Sequence, residues 1–320
     1  MMEINHVLVV GAGTMGHGFA QIFAMNRLSV WVVDEREELL KQARGWIMDT
    51  LNYMVELGEI GRAAVQPTLS HIQFTTDLKT AASKADYVLE AVNENLDLKK
   101  KIFQRLGQWT QPHVVLATNT SSFDINELSP VTDHPERVIG THWFHPPQIT
   151  PCVEIIPSDL TNPETIQTAT DLMKRIGKVP TRCKSAPGFV ANRIQLALAA
   201  EAFAIVEEGL ATPEEVDRIV KTSFGFRLSA YGPFQICDQA GADTYYAIYQ
   251  YLHGKLKREQ FKPSSLLKGQ VEQGRLGLKT GRGFYEYGQG AAEKMKRERD
   301  RKLYSRLRLF REEEKEEKTK

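Results

Sequence analysis

The segment at residues 6–34, HVLVVGAGTMGHGFAQIFAMNRLSVWVVD, constrains the fold more than any other part of the chain. Residues 7–10 form a continuous apolar run, which is typical of a strand buried on both faces of a parallel sheet. A glycine-rich turn and a helical pattern follow, and a second apolar strand at residues 30–33 ends in an acidic residue. This order predicts a βαβ unit that binds a dinucleotide.

Each residue of the glycine-rich turn has an expected role. Gly11 allows a sharp turn, Gly13 allows the backbone to approach a pyrophosphate, and Gly16 allows the helix to pack closely on the strand. The free N–H groups at the start of the helix, together with the helix dipole, attract the anion. Thr14 and Met15 complete the turn and are assigned to the same cofactor site.

Asp34 indicates which dinucleotide binds. Its carboxylate can accept hydrogen bonds from the adenosine ribose and repels a 2′-phosphate, so the sequence predicts NAD rather than NADP. Arg36 lies two residues further along the chain and is the one feature that favours NADP.

Composition and charge narrow the class of protein. The chain has 320 residues, of which 42% are hydrophobic, and this is enough for two ordinary domain cores. The 41 basic and 40 acidic residues argue against a nucleic-acid-binding surface over the whole protein, and the three cysteines lack metal-ligand spacing. No apolar run approaches the ~20 residues of a membrane span, and we expect no signal peptide because the first predicted strand begins near Met1. We expect a cytoplasmic enzyme that acts on a small molecule, without a nucleic-acid or membrane partner.

The remaining pattern divides the chain into three parts. Strand and helix patterns alternate over residues 1–186, which predicts an α/β domain with a doubly wound, Rossmann-type parallel sheet. Residues 187–288 are predicted to form an all-helical domain for substrate binding and dimerisation, and residues 289–320 a charged helical tail that projects or frays. An unusually apolar helix at residues 189–210 is expected to be buried, either within the chain or against a second copy of it.

Polar residues follow three of the predicted strands, at positions 93–94, 119–122 and 142–145. Because ligands bind outside the carboxyl ends of parallel strands, we expect these residues on one rim of the sheet. His142 ends one strand and Glu154 lies in the next one. The proline-rich turn between them can bring the two side chains together.

A histidine paired with a carboxylate is suited to the oxidation of an alcohol. The carboxylate fixes the tautomer of the ring and stabilises the imidazolium that forms when the other nitrogen takes a proton. Transfer of a hydride from an alcohol to a nicotinamide needs such a base. In a sequence alone, a His and a Glu at this separation are structural more often than catalytic, and both interpretations stay open here.

Five motifs follow the glycine-rich turn in order: TNTSS at residues 118–122, HWFHPP at 142–147, VEII at 153–156, PGFVANR at 187–193 and GLKTGRGFYEY at 277–287. With these motifs in register, the chain resembles the L-3-hydroxyacyl-CoA dehydrogenase family over most of its length. The resemblance implies an NAD-dependent enzyme of fatty acid metabolism that oxidises the 3-hydroxyl of a short-chain L-3-hydroxyacyl-CoA. It also implies a homodimer formed through the helical domain.

The resemblance assigns catalytic roles to four residues. His142 matches the catalytic base and Glu154 the acid that orients it. Ser121 matches the serine that hydrogen-bonds the substrate oxygen, and Asn192 matches an asparagine contributed by the helical domain. Without the resemblance, Ser121 is expected to be a helix N-cap and Asn192 a surface amide.

Two further positions, Glu94 and Lys99, match residues that line the cofactor site of the family. His145 departs from the family, which commonly has Asn there. A second imidazole can titrate, meet a substrate carboxylate or simply replace the amide. The predicted helix at residues 38–57 is also poor in basic residues for a CoA-binding arm. The alternative substrate is therefore a free 3-hydroxy acid similar to carnitine or gulonate, and a non-catalytic NAD-binding protein is a third possibility.

Overall fold

A computed structural model describes residues 3–288 and 290–317. Eight strands form one sheet: His6–Val10 (β1), Ser29–Val33 (β2), Ile72–Thr75 (β3), Tyr87–Glu90 (β4), Val115–Thr118 (β5), Val138–Trp143 (β6), Cys152–Pro157 (β7) and Val179–Arg182 (β8). Their order is β3-β2-β1-β4-β5-β6-β7-β8. The first six strands are parallel, β7 is antiparallel to β6, and β8 is parallel to β7. The order of the first six strands is that of a dinucleotide-binding sheet, so the predicted Rossmann-type fold is confirmed.

The helices that accompany the sheet are Gly16–Met25 (α1), Glu37–Glu56 (α2), Val65–Ser70 (α3), Leu78–Ala82 (α4), Leu96–Trp109 (α5) and Pro163–Arg175 (α6). The helices that follow are Ala191–Glu207 (α7), Pro213–Thr222 (α8), Phe224–Leu228 (α9), Pro233–Ala240 (α10), Ala242–Leu256 (α11), Ser265–Glu272 (α12) and Ala291–Glu317 (α13). The chain forms two compact units, one up to Leu198 and one from Ala199, so the division falls inside α7. The domain boundary expected after residue 186 stays a prediction.

The strand β1 shows why the sheet forms. Val7 and Val9 belong to one apolar cluster, and Leu8 and Val10 belong to another. Successive side chains of a strand point to opposite faces, so the continuous apolar run buries β1 on both sides. Because β1, β4, β5 and β6 are parallel neighbours, their carboxyl ends meet at one rim of the sheet, where the candidate site lies.

The helix α7 is exposed where burial was expected. None of its residues is buried, and Leu196 and Phe203 are 64% and 68% exposed. The expectation that this helix lies in the interior of the chain is therefore wrong for the part of the chain that the structure describes. Phe189, which precedes it, is buried in a cluster beside the sheet. Periodicity shows that a helix has an apolar face, but it does not show what covers that face.

The GLKTGRGFYEY motif surrounds the buried carboxylate of Asp238 in the second unit. The N–H groups of Phe284 and Tyr285 donate to its two oxygens at 3.0 Å each, and Tyr287 Oη donates at 2.8 Å. A Cβ at Gly277 or a side chain at residue 283 would overlap Asp238. The motif therefore has a structural role in this unit, because it provides every hydrogen bond donor shown for the carboxylate.

The charged tail forms the helix α13 and packs against α9 instead of projecting. The rings of Phe310 and Phe226 lie 6.4 Å apart, and Arg306 Nε donates to Ser229 Oγ at 2.6 Å. Residues 318–320 lie outside the described part of the tail. No described helix combines the length and apolar character needed to cross a bilayer.

Candidate active site

The glycine-rich turn between β1 and α1 adopts the geometry expected of a dinucleotide site. Gly11 has a φ of +105°, and its N–H donates to the carbonyl oxygen of Val33 at 2.7 Å. A Cβ at Gly16 would overlap the carbonyl oxygen of Gly11, so only glycine allows α1 to start this close to the strand. A Cβ at Gly13 would meet no described atom within 4 Å. The turn therefore leaves space beside the N-terminus of α1 for the pyrophosphate of NAD.

Asp34 lies directly after β2, beside this turn. Its Oδ2 accepts a hydrogen bond from the N–H of Ala12 at 3.1 Å, which ties the carboxylate to the glycine-rich segment. Its Oδ1 accepts from the N–H of Arg36 at 3.1 Å and from Arg36 Nε at 3.4 Å. The guanidinium that favoured NADP is thus paired with the carboxylate that favours NAD.

A cavity of about 630 Å³ joins the turn to the polar residues of the neighbouring strand ends. The sequence-predicted residues that line it are Gly13, Thr14, Met15, Glu94, Ser121, His142, His145 and Asn192. The expectation that the polar clusters share one rim of the sheet is confirmed. No lysine or arginine is among the described lining residues, so the backbone amides are the principal groups for an anion.

His142 and Glu154 are hydrogen-bonded neighbours on adjacent strands. They occupy paired positions of the antiparallel strands β6 and β7, and His142 Nδ1 lies 2.7 Å from Glu154 Oε2. Both side chains are 5% exposed. Because the carboxylate occupies Nδ1, the nitrogen Nε2 of the same ring is left for a group in the cavity. The juxtaposition predicted from the sequence is confirmed.

The second oxygen of Glu154 is also occupied. Oε1 accepts hydrogen bonds from the N–H groups of Val190 and Ala191, at 3.2 and 3.0 Å, where α7 begins. Burial favours a raised pKa for Glu154, but the hydrogen bond from His142, the two amides and the charge of the imidazole outweigh it and lower the pKa. Glu154 is therefore an ionised group held on both oxygens, which fixes the plane of the carboxylate.

Ser121 lies in a turn that Glu94 organises. Glu94 Oε1 accepts from Thr120 Oγ1 at 2.6 Å, from the N–H of Ser121 at 3.0 Å and from Ser122 Oγ at 2.8 Å. Burial favours a raised pKa for Glu94, but these hydrogen bonds and the nearby charge of a lysine lower it. Asn192 Nδ2 donates to the carbonyl oxygen of Ser121 at 3.0 Å. The structure thus brings Ser121 and Asn192 together at the cavity.

Lys99 does not line the cavity, although the sequence assigned it to the cofactor site. Its side chain is 1% exposed, and its Nζ lies 2.7 Å from Glu90 Oε1 and 3.3 Å from Glu94 Oε2. The buried carboxylate of Glu90, which the sequence analysis did not assign, also accepts from Thr118 Oγ1 at 2.6 Å. Lys99 lies behind the rim and its ammonium contacts the carboxylate of Glu94, so its assignment to the cofactor site stays a prediction. The polar character of the strand end was the only signal in the sequence for Glu90.

His145 and Asn119 complete this side of the cavity. His145 is exposed and lines the same space as the glycine-rich turn. Asn119 Oδ1 accepts a hydrogen bond from the N–H of Trp143 at 2.9 Å, and the N–H of Asn119 donates to the carbonyl oxygen of Glu90. Asn119 therefore fixes the ends of three neighbouring strands relative to one another.

Two family models match consecutive parts of the chain. The first, described as 3-hydroxyacyl-CoA dehydrogenase, NAD binding domain, matches residues 6–186, and the second, described as 3-hydroxyacyl-CoA dehydrogenase, C-terminal domain, matches residues 188–287. A probable 3-hydroxybutyryl-CoA dehydrogenase from Deinococcus radiodurans is 39% identical over 279 residues, which cover 87% of this chain and 99% of the relative.

Other similarities extend further towards the C-terminus. A 5-formyl-3-hydroxy-2-methylpyridine 4-carboxylate 5-dehydrogenase from Mesorhizobium japonicum is 32% identical over 311 residues, which cover 96% of this chain and 98% of the relative. The crystal structure of a 3-hydroxyacyl-CoA dehydrogenase from Archaeoglobus fulgidus is 32% identical and has a TM-score of 0.80, with 96% of this chain and 99% of the other covered. The likeness therefore includes most of the charged tail.

Proposed function

Because the chain belongs to the 3-hydroxyacyl-CoA dehydrogenase family and is an NAD-dependent oxidoreductase, we propose that it oxidises the 3-hydroxyl of a short-chain L-3-hydroxyacyl-CoA to the 3-oxoacyl-CoA. The observation that carries the proposal is the buried pair of His142 and Glu154 beside the cavity that also reaches the glycine-rich turn. A role in fatty acid metabolism and a cytoplasmic location belong to the same proposal.

His142 is the proposed general base. Its Nε2 takes the proton of the 3-hydroxyl while the C3–H bond breaks and the C3–O bond becomes a carbonyl. The hydride acceptor is NAD, which supplies this chemistry when it is bound. Glu154, ionised and held by two amides, stabilises the imidazolium that forms and keeps the Nδ1 proton in place. The base is therefore oriented before the substrate arrives.

Ser121 and Asn192 are the proposed contacts for the reacting oxygen. Ser121 lies in the turn fixed by Glu94, and Asn192 is fixed by its hydrogen bond to the Ser121 carbonyl. Both residues line the cavity with His142. A hydroxyl and an amide placed in this way can donate to the developing carbonyl oxygen, which is favourable when the donors are positioned in advance.

The substrate proposal is tested by measuring NADH absorbance with a panel of substrates. We expect turnover of L-3-hydroxybutyryl-CoA, slower turnover of long-chain thioesters, and none of free 3-hydroxybutyrate or carnitine. Turnover of the free acids without turnover of any thioester would overturn the proposal. The D-enantiomer of the thioester is the matched control. It carries the same CoA group and is assayed with the same cofactor, but its configuration at C3 exchanges the positions of the hydrogen and the hydroxyl.

A hydroxy compound with its own carboxylate is the second candidate substrate. Two observations favour it: the similarity to the Mesorhizobium japonicum enzyme, whose name includes a pyridine carboxylate, covers 96% of this chain, and the exposed imidazole of His145 lines the cavity. In its protonated form, His145 can pair with a carboxylate. The same panel distinguishes the candidates, because the free 3-hydroxy acids lack the CoA handle.

We also propose a homodimer, with domains at residues 1–186 and 187–288 and a tail at 289–320. The support is the exposed apolar surface of α7, on which Leu196 and Phe203 are seven residues apart and share a face. A second copy would remove this surface from water. Light scattering after size-exclusion chromatography tests this: we expect twice the chain mass for the natural protein and the single mass for Phe203→Glu. A single mass for the natural protein would contradict the homodimer.

A further inference from the structure

Lys178 is a buried cation that the proposed reaction does not use. It lies between α6 and β8, and the residue is 6% exposed. Its Nζ donates to the carbonyl oxygens of Pro147 at 2.5 Å and Thr150 at 2.7 Å, and it lies 5.5 Å from the centre of the Trp143 ring. Among the described residues, no carboxylate lies within ion-pair distance of it. Its charge is therefore stabilised by carbonyl dipoles and an aromatic face alone.

A cation buried in this way is costly. Removing an ammonium from water disfavours its charged form, and burial lowers the pKa of Lys178 to about 8. The two carbonyl contacts act in the opposite direction, because they are made most strongly to the protonated amine. An apolar side chain of similar length would fill this space without that cost. Buried groups with shifted pKa values are concentrated at functional sites, so the contacts of Lys178 point to a functional role.

The contacts of Lys178 hold the loop at residues 144–151, which joins β6 to β7. Three prolines in this loop have no N–H, so the loop has few donors of its own for its carbonyl oxygens. The ammonium supplies donors to two of those oxygens. The N–H of Val179, the next residue, donates to the carbonyl oxygen of Pro151 at 2.9 Å. One short segment thus fixes both the middle and the end of the loop.

The loop rests on the helix that begins at the cofactor turn. A Cβ at Gly18 of α1 would lie 2.5 Å from Pro147 Cγ, so the two are in close contact. At its other end the loop carries His145, which lines the cavity together with Gly13 and Thr14. The position of the loop therefore determines the shape of the cavity beside the turn.

We infer that Lys178 is a positioning residue for NAD: its protonated ammonium holds the loop at residues 144–151 against α1, and the loop in turn shapes the cavity at the glycine-rich turn. Lys178 acts through the loop and does not touch the cofactor. When the amine loses its proton, the two carbonyl contacts weaken and the loop loosens from Gly18. NAD affinity then falls as the pH rises.

The elements packed around Lys178 carry other titratable or charged groups. They are His17 on α1, His142 on β6, His145 in the loop, Cys152 and Glu154 on β7, Glu164, Asp171, Lys174 and Arg175 on α6, and Arg182 on β8. Burial lowers the pKa of His17 and raises that of Cys152, so neither change moves a transition towards pH 8. Glu154 also has a lowered pKa and stays ionised throughout the alkaline range. A variant that lacks only the amine separates the contribution of Lys178 from those of the two remaining imidazoles.

The test is NAD affinity of the full chain, measured by calorimetry from pH 6.5 to 9.5, for the natural protein and for Lys178→Met. The exposed Lys174 on α6 provides the matched control, Lys174→Met. For the natural protein and the control, we expect affinity to decline as the pH rises through about 8. For Lys178→Met, we expect about tenfold weaker binding at pH 7 and no alkaline decline. Equal affinity at pH 7, or the same alkaline decline, would overturn the inference.

A second variant keeps the test decisive if Lys178→Met does not fold. Gly18→Ala displaces Pro147 while the lysine is retained, so it should weaken NAD binding to a similar extent. Binding at the natural affinity would show that the loop does not shape the site. In turnover assays, a positioning role predicts a raised KM for NAD with a smaller change in kcat. Because the binding measurement uses NAD alone, a wrong substrate proposal would leave its result unaffected.

Discussion

Two buried carboxylates, Asp238 and Glu154, are held by residues of different motifs, and their hydrogen-bond partners differ. Asp238 is surrounded by two backbone amides and a phenol, all of which donate to it. Glu154 accepts two backbone amides in a similar way, but its third partner is the imidazole of His142. An imidazole has a second nitrogen that can exchange a proton while the first stays hydrogen-bonded, whereas a backbone amide and a phenol have no second such atom.

A motif that identifies the family does not by itself mark residues that take part in the reaction. GLKTGRGFYEY and HWFHPP both carry the resemblance to the family, yet the residues of GLKTGRGFYEY surround Asp238 in the second unit. In the proposed mechanism, the carboxylate of Glu154 contributes to proton transfer because its neighbour His142 lines the cavity. The following changes test whether this distinction holds.

Replacement of the proton acceptor should have the largest effect. We expect His142→Gln to lower the rate of hydride transfer by about a hundredfold or more, since a general base is lost, while NAD affinity stays unchanged. Single-turnover absorbance measures the rate and calorimetry the affinity. His113→Gln, at an exposed position, is the control. An unchanged rate in His142→Gln would contradict its role as the base and, with it, the proposed difference in role between Glu154 and Asp238.

Asp238→Asn should affect stability and not chemistry. The amide side chain cannot accept from all three donors, so buried donors lose partners and the free energy of unfolding should fall by about 2–3 kcal/mol. Urea unfolding measures this, and Asp243→Asn, which breaks an exposed pair with Lys279, should have a smaller effect. The hydride-transfer rate of the folded protein should not change. A large loss of rate with unchanged stability would show that Asp238 takes part in the reaction and would contradict its structural role.

Glu154→Gln should show the opposite pattern. The glutamine keeps the size of the side chain but cannot stabilise an imidazolium, so we expect a rate loss of about tenfold or more. The effect on thermal unfolding should be smaller than that of Asp238→Asn. The rate at increasing pH is the useful readout, because a merely structural change would lower it equally at every pH.

Asp34 is a third carboxylate, and it is predicted to accept hydrogen bonds from the adenosine ribose of NAD. We expect Asp34→Ala to weaken NAD binding by about tenfold and NADP binding less, because the ribose loses an acceptor and a 2′-phosphate loses a repulsive neighbour. Calorimetry with both cofactors measures the ratio. Glu35→Ala is a neighbouring control. Equal losses for the two cofactors would contradict the assignment of Asp34 to the ribose.

The smallest expected effect is on stability in acid. Glu154 and Glu94 have lowered pKa values in the folded protein, so the folded state binds fewer protons than the unfolded chain as the pH falls. Their contribution to stability is complete above the unfolded pKa of about 4.3 and is lost as the pH falls through the folded values. Urea unfolding from pH 6 to 3 should show a shallower decline for Glu94→Gln than for the natural protein. Identical slopes would show that Glu94 is not stabilised in its ionised form.

The features that the sequence predicted correctly are local. The turn from Gly11 to Gly16 and the helix α2 follow from short patterns, and the pairing of His142 with Glu154 follows from two strands joined by a short turn. In each case the relevant residues are close along the chain. Their geometry is set by backbone conformation and strand register.

The features that the sequence did not predict depend on distant contacts. Lys99 is a charged residue on an amphipathic helix, and only the tertiary structure shows that Glu90 pairs with it in the interior. Lys178 contacts a loop that lies about 30 residues earlier in the chain, and no periodic pattern indicates this. The same holds for α7: its apolar pattern predicts an apolar face but does not show which surface, if any, packs against that face.

The antiparallel pairing of β6 and β7 makes the separation of His142 and Glu154 a property of the backbone. The two side chains occupy paired positions on adjacent strands, so the register of the pairing sets their spacing. A substitution in the loop at residues 144–151 can change the cavity without shifting that register. We therefore expect specificity to be altered more readily than the proposed proton transfer.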